Sequence, residues 1–491
     1  MNHVEVAIVG AGFAGIAMAM RLRREGRESF AILERGADIG GTWRENTYPG
    51  IACDVPSHLY CFANHPNPAW ERVYARGPEI QAYLRRVVRD EGLHDHLALR
   101  SPLIGAARAE GVWQLDVGGA APRRITADSL ILACGRLSEP RVPAIDGLET
   151  FPGPIFHSAR WDHSAQVRGT RMAVVGTGAS AVQLVPELVR RGAHVTLFQR
   201  TPAWIMPRGD RAYHAGERAA FASDPGAIAQ LRQSLFLEGE ARYAARSGEA
   251  IAARAAREIA LAHLAAQVSD PDLRRDLTPD YAFGCKRVLL SDDFYPALDS
   301  GEVALEPTAL HAIRGRTLVA AGGTRHEADA IVLATGFETT RQPYAQLVRG
   351  SDGTTLDDHW ATGMRSFAST LVSGFPDLYI LNGPNASLGH NSAVLMMEEQ
   401  AEFVVRCLAA RDRAPGASVE VDLEQELAYT AEIEDRSAPT PWITGGCRNW
   451  YVDDRSGRLT LLWPGTVQMF RERLARADIA SLTRAHSRGS R

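Results

Sequence analysis

Val4-Glu5-Val6-Ala7-Ile8-Val9-Gly10-Ala11-Gly12-Phe13-Ala14-Gly15 is the stretch on which the fold turns. Its first half is an apolar, β-branched run and reads as a buried strand. The three glycines follow as G-x-G-x-x-G, and the apolar run to Leu22 continues as a helix. Gly10 permits a tight turn, Gly12 lets the backbone approach a pyrophosphate, and Gly15 lets helix and strand pack closely. The helix start then offers free N–H groups to phosphate oxygens. The next apolar segment, Ala31-Ile32-Leu33, ends in Glu34, at the distance expected for an acid that binds a ribose 2′-hydroxyl. An acid there favours an unphosphorylated ribose, as in FAD.

The pattern recurs. Met172-Ala173-Val174-Val175 leads into Gly176-Thr177-Gly178-Ala179-Ser180-Ala181, with alanine at the last glycine position. The strand after it, His194-Val195-Thr196-Leu197-Phe198, ends in Gln199-Arg200-Thr201 and not in an acid. A guanidinium accepts a 2′-phosphate that a carboxylate would repel, so the second turn should take NADPH. Gly176, Gly178, Ser180, Arg200 and Thr201 are its expected contacts. Lys286 is the single lysine of the 491 residues. Arginine and lysine are not interchangeable where a compact point charge is needed, which points to a functional role for it.

Two further strand ends, Ser129 to Gly135 and Ala330 to Phe337, complete an alternation of strands and helices. The expected class is α/β, with two Rossmann-like dinucleotide-binding domains. Residues 1–150 and 331–491 should form a discontinuous FAD-binding domain. Residues 165–210 and 281–330 should form the NADP-binding domain. Residues 211–280, rich in alanine, arginine, leucine and glutamate, should be a helical insertion divided at Asp224-Pro225 and Asp270-Pro271. The polar tail after about Thr483 reads as disordered.

The composition is ordinary, 45% hydrophobic and 23% charged with a net charge of −4. It gives no reason to expect nucleic acid or an anionic membrane as partner. The N-terminal apolar stretch lacks a preceding basic region and is broken by glycines, so it does not read as a signal peptide. Cysteines at 53, 61, 134, 285, 407 and 447 form no C-x-x-C and no zinc-ligand spacing. Free thiols in a reducing cytoplasm are the simplest expectation, with no metal.

Phe151-Pro152-Gly153-Pro154-Ile155-Phe156-His157-Ser158-Ala159-Arg160-Trp161-Asp162 precedes the second turn and fits F-x-G-x-x-x-H-x-x-x-W-[P/D]. Gly40-Gly41-Thr42-Trp43, Tyr48-Pro49-Gly50 and Asp54 fit G-G-x-W…[FY]-P-G-x-x-x-D. Together these resemble the type I Baeyer–Villiger monooxygenases, relatives of the flavin-containing monooxygenases. Ala334-Thr335-Gly336 and the segment Cys447 to Tyr451 extend the resemblance over nearly the whole chain. It implies FAD and NADPH as cofactors, a small-molecule ketone and O2 as substrates, and oxygenation to an ester or lactone through a flavin C4a-peroxide. Arg287, in Gly284-Cys285-Lys286-Arg287, matches the family's fixed cation beside the anionic adduct, where such a charge is most effective. Asp54 matches the carboxylate that orients it, and Lys286 the contact to the 2′-phosphate. Gly41, Thr42, Trp43, Ala334, Thr335, Gly336 and Trp450 match cofactor-binding positions. His157 reads as a linker between domains more than a proton donor, and Trp161 and Trp43 as packing or flavin-adjacent residues. Asn385, Gly389 and His390 form a loop expected to border the flavin.

The nearest rival is a flavin-containing monooxygenase acting on nitrogen or sulfur. It shares both cofactors but usually has tyrosine where Trp161 stands. A disulfide reductase would need a flavin-side C-x-x-x-x-C, which is missing.

Overall fold

The computed structural model describes residues 3–485. Each glycine turn sits at the end of the middle strand of a parallel arrangement. In the first sheet, His3–Val9 lies between Phe30–Leu33 and Arg123–Leu132, parallel to both. Leu97–Ala98 extends this sheet beyond Phe30–Leu33, and Leu378–Ile380 pairs with Arg123–Leu132. On the other side the sheet continues through Val112–Val117, Leu103–Ala109 and Val348–Arg349. The helix Phe13–Arg24 is buried almost all round, from Phe13 to Leu22. It is covered by this sheet on one side and by the helix Ala393–Asp412 on the other, which explains why it carries so little polar surface.

The second sheet runs Val303–Glu306, His194–Phe198, Arg171–Val175, Ala330–Leu333, Ile155–His157, all parallel. Ala330–Leu333 is therefore the neighbour of the strand that leads into Gly176. This moves the boundary expected at 330/331 to the far side of Leu333, and Ile155–His157 draws the second unit's start before 165. A strand buried on both faces is a plain apolar run, so nothing in its pattern says which sheet it enters.

The insertion is helical as its composition suggests: Ala215–Ser223, Pro225–Ser247, Ala250–Gln267 and Pro271–Asp276. Both Asp-Pro steps start helices. Asp224 accepts a hydrogen bond from the Gly226 N–H at 2.8 Å, and Asp270 from the Asp272 N–H at 2.9 Å. Proline occupies the first helical position in each, where no N–H is needed.

Two expectations are corrected. Thr483–Ala485 is not disordered but pairs antiparallel with Ala417–Val419; residues 486–491 lie outside the described residues. The cysteines are not all free, because Cys285 and Cys447 are joined in a disulfide across 162 residues of sequence. Spacing rules detect only cysteines close in sequence, and this pair is brought together by the packing of a loop after the insertion against the C-terminal segment. Cys53, Cys61, Cys134 and Cys407 are free. Among the described residues no helix is long and apolar enough to cross a membrane.

Thiol titration of the denatured protein should return four thiols without reductant and six after reduction. Six thiols in the unreduced sample, with oxidation and exchange blocked from lysis onward, would refute the bond.

Candidate active site

The two turns are built alike. A Cβ on Gly10, whose φ is +109°, would lie 2.4 Å from the Ala133 carbonyl oxygen. A Cβ on Gly176, φ +107°, would lie 2.6 Å from that of Ala334. Each turn is thus pressed against the end of the adjacent parallel strand, and only glycine fits. This places Ala334-Thr335-Gly336 at the second turn, where Thr335 donates to the Arg141 carbonyl at 2.6 Å. The helices Phe13–Arg24 and Ala179–Arg190 begin at Gly12 and Gly178, and neither start is capped by a side chain. Their first-turn N–H groups remain available for phosphate.

Glu34 is buried beside the first turn. It accepts from the Ala11 N–H at 2.9 Å on one oxygen, and from the Gly36 N–H at 2.7 Å and Arg44 at 2.6 Å on the other. A carboxylate has about four acceptor positions, so one is left for a ribose hydroxyl. Gly41 packs on Gly12, and a Cβ there would meet the Gly12 Cα at 3.1 Å. Thr42 opens the short helix Thr42–Glu45, and Trp43 donates to the Tyr60 hydroxyl at 3.3 Å. At the second turn, the Thr177 hydroxyl donates to the Thr201 carbonyl at 2.9 Å, and Ser180 lies by Tyr48. Lys286 is half-buried with its ammonium 4.9 Å from the Tyr281 ring centre. Its pKa is lowered, first by burial and then by repulsion from Arg200. The two cations are therefore near enough to repel one another.

The loop from Tyr48 to Asp54 crosses from one unit to the other. Tyr48 donates to Gln183 at 2.9 Å, and Gln183 donates to the Ala52 carbonyl at 2.9 Å, which ties the loop to the helix of the second turn. Asp54 then meets Arg287, 233 residues away, with Nη2 at 2.6 Å and Nε at 3.1 Å from the same carboxylate oxygen. Burial pushes the Asp54 pKa up, but the charge and hydrogen bonds of Arg287, helped by Arg208, outweigh it and hold the acid low. Asp54 in turn raises the pKa of Arg287. Both side chains are surrounded by protein, yet Arg287 keeps 30% and Asp54 27% of its surface. The pair is thus not fully covered and remains reachable by a small molecule.

The fingerprint residues lie to one side of this pair. Phe151 is in the core beneath the second sheet, and Gly153 passes under the Asp329 carbonyl. His157 accepts from the Ala159 N–H at 3.1 Å, and its pKa is lowered by burial. Its ring lies 5.6 Å from that of Phe337, just past Gly336, a position that joins chain segments. Trp161 packs edge-on to Phe156 at 4.9 Å, and Asp162 caps the next turn through Ser164. Asn385 holds the C-terminal segment through the carbonyls of Leu459 and Leu462, and His390 faces Glu240 of the insertion at 3.6 Å. Trp450 is half-buried against Tyr451, ring centres 4.5 Å apart.

Sequence reasoning assigned no role to three residues in this cluster. Tyr451 is buried beside Arg287. Arg208 donates to the Cys53 carbonyl at 2.8 Å beside Asp54. Arg246 reaches in from the insertion. Tyr451 stood in a quoted motif and was legible. Nothing in an alanine- and arginine-rich helix marked Arg246.

Two dinucleotide-type turns in units joined by the Asp54–Arg287 pair define a two-nucleotide oxidoreductase, and residues 7–214 match the family described as pyridine nucleotide-disulphide oxidoreductase. The chain is 44% identical over 98% of its length, and 92% of the relative's, to a Baeyer-Villiger monooxygenase of Streptomyces coelicolor. It is 40% identical over 96% of its length, and 89% of the relative's, to one of Pseudomonas aeruginosa. It superimposes on OTEMO in complex with FAD and NADP with a TM-score of 0.85 at 24% identity, covering 98% of this chain and 99% of that one. The chain belongs to the Baeyer–Villiger monooxygenase family.

A carboxylate whose pKa falls on folding stabilises the folded state above its unfolded value, and loses that effect as pH drops through the folded value. The gap in FAD-release temperature between wild type and Asp54→Asn should therefore hold from about pH 8 to about pH 5 and close only at more acid pH. A gap that closes near neutrality would show that Asp54 is not held low.

Proposed function

We propose that this enzyme uses NADPH and O2 to insert one oxygen atom next to the carbonyl of a small-molecule ketone, giving an ester or lactone. The observation that carries this reading is the partly exposed Asp54–Arg287 ion pair, which joins the loop after the first nucleotide turn to the segment after the insertion. FAD, when bound at the Gly10–Gly15 turn, supplies the oxygen-activating chemistry of the family, and OTEMO was crystallised with FAD and NADP. Glu34 binds the adenosine ribose, and Gly41, Thr42 and Trp43 close over the same nucleotide. Ser180 and Thr201 line the second turn, while Arg200 and Lys286 grip the 2′-phosphate that separates NADPH from NADH.

Arg287 holds positive charge where negative charge grows on the ketone oxygen during attack. It is fixed before the reaction by Asp54, so no reorganisation is needed in the transition state. Asp54 also prevents the cost of an isolated cation in an enclosed site. Tyr451 flanks this pair from the C-terminal segment, with Trp450 packed against it. The Cys285–Cys447 bond ties that segment to the Arg287 loop, so the two close the site as one unit. We place the enzyme in the cytoplasm on its demand for NADPH, with the Cys285–Cys447 disulfide an exception to the free thiols expected there.

Arg287→Ala should retain flavin reduction by NADPH while ester formation falls by about 10² or more. Mass spectrometry with ¹⁸O2 over a panel of ketones reads both the product and the origin of the added atom. Undiminished product from that variant would remove Arg287 from the chemistry. A panel in which sulfides and amines gain oxygen but no ketone does would favour the nitrogen- and sulfur-oxygenating class instead.

Arg200→Ala should raise the KM for NADPH by about tenfold, the loss of one charge-assisted contact, and move that for NADH far less. Equal shifts for the two nucleotides would overturn the phosphate assignment.

A further inference from the structure

The helix Pro225–Ser247 ends directly over the loop that carries Arg287. Gly284, at φ +90°, makes this possible, since a Cβ there would lie 2.9 Å from the Arg246 carbonyl oxygen. The Arg246 guanidinium stands 5.1 Å above the Phe283 ring. Its charge is felt by Arg287, Asp54 and Tyr451 on one side and by His390 on the other. It belongs to the same cluster as the proposed catalytic pair.

Arg246 differs from the other enclosed arginines. Arg108 pairs with Asp377 at 2.7 Å, Arg136 donates to the Leu461 carbonyl at 3.0 Å, and Arg208 donates to that of Cys53. Arg246 has no hydrogen bond and no ion pair among the described residues, and its Nε is fully shielded with no acceptor. The nearby acids are engaged. Asp54 is held by Arg287, and Glu240 accepts from the backbone N–H groups of Val467 at 3.1 Å and Gln468 at 3.0 Å and from Asn391 at 3.0 Å. Burial lowers the Arg246 pKa to about 10, with Tyr451 partly offsetting it, so the group is still a cation at neutral pH. A buried guanidinium N–H without an acceptor, as at Arg246 Nε, is costly to leave unmet. Its Nε is covered while the half-buried side chain keeps open surface, so part of the guanidinium is reachable by a ligand. Arg246, Arg287 and Arg208 gather there around the single carboxylate of Asp54. An anion is the missing partner.

We propose that Arg246 determines substrate specificity by anchoring a carboxylate on the ketone, so that the preferred substrates are keto acids. This rests on the ketone-oxygenating reading above. A phosphate of the nucleotide is the other source of an anion, but the nucleotide phosphates have their own partners at the Gly176 turn, Arg200 and Lys286.

The test uses the FAD-loaded enzyme with matched pairs: 4-oxocyclohexanecarboxylate and its methyl ester, and 4-acetylbenzoate and its methyl ester. The wild type should favour the acid of a pair in kcat/KM by about tenfold, the size of one charge-assisted contact. Arg246→Met should lower kcat/KM for the acid about tenfold more than for the ester, and Arg246→Lys, which keeps the charge, should preserve part of the preference. An equal loss for acid and ester, or a wild-type preference for the esters, would overturn the anchor. So would a rise confined to the NADPH KM, which would identify a nucleotide phosphate as the ligand. Esters oxygenated with no preference for acids refute the anchor alone. No oxygenated product from either pair or from a panel of neutral ketones refutes the ketone reading and the anchor with it.

Discussion

The contact between Asp54 and Arg287 is the constraint around which the molecule is arranged. An arginine enclosed by protein needs a carboxylate, and here that carboxylate comes from the other nucleotide-binding unit. The two units cannot part without separating the pair. The loop that delivers Asp54 is itself clamped by Gln183 to the helix of the second turn, so the acid arrives already oriented. Charge placed this way before reaction is worth more than charge that must be gathered during it.

The duplicated turns supply the setting. In each, a glycine with positive φ presses against a carbonyl at the end of the adjacent parallel strand, and an uncapped helix starts immediately after. The same backbone solution is used twice, and the side chains at the following strand ends distinguish the two sites. Glu34 stands at one, and Arg200 with Lys286 at the other. The disulfide adds a covalent constraint of a different kind. It fixes the Arg287 loop against the segment bearing Trp450 and Tyr451, parts of the chain that share no sheet.

Much of this was legible before any coordinates. The two turns, the acid and the cation after them, the helical insertion and its Asp-Pro starts are local features, in which neighbours in sequence are neighbours in space. The long motifs named Asp54 and Arg287 as partners through resemblance to a family, and the two side chains are in contact. The sheet membership of Ala330–Leu333 was not legible, because a doubly buried strand has no polar face to betray its neighbours. Nor was the strand Thr483–Ala485, whose polar residues are ordered only by pairing with Ala417–Val419.

The sequence by itself therefore determined the fold class, the number of nucleotide turns and the acid or cation that follows each, since these depend on backbone turns and charges set within short spans. Tertiary structure alone decided what surrounds that pair. The Cys285–Cys447 bond, the approach of Tyr451 and the unpartnered Arg246 all arise where segments far apart in sequence converge. Such meetings leave no periodicity or spacing in the chain, because the physical cause is packing between units and not conformation within one.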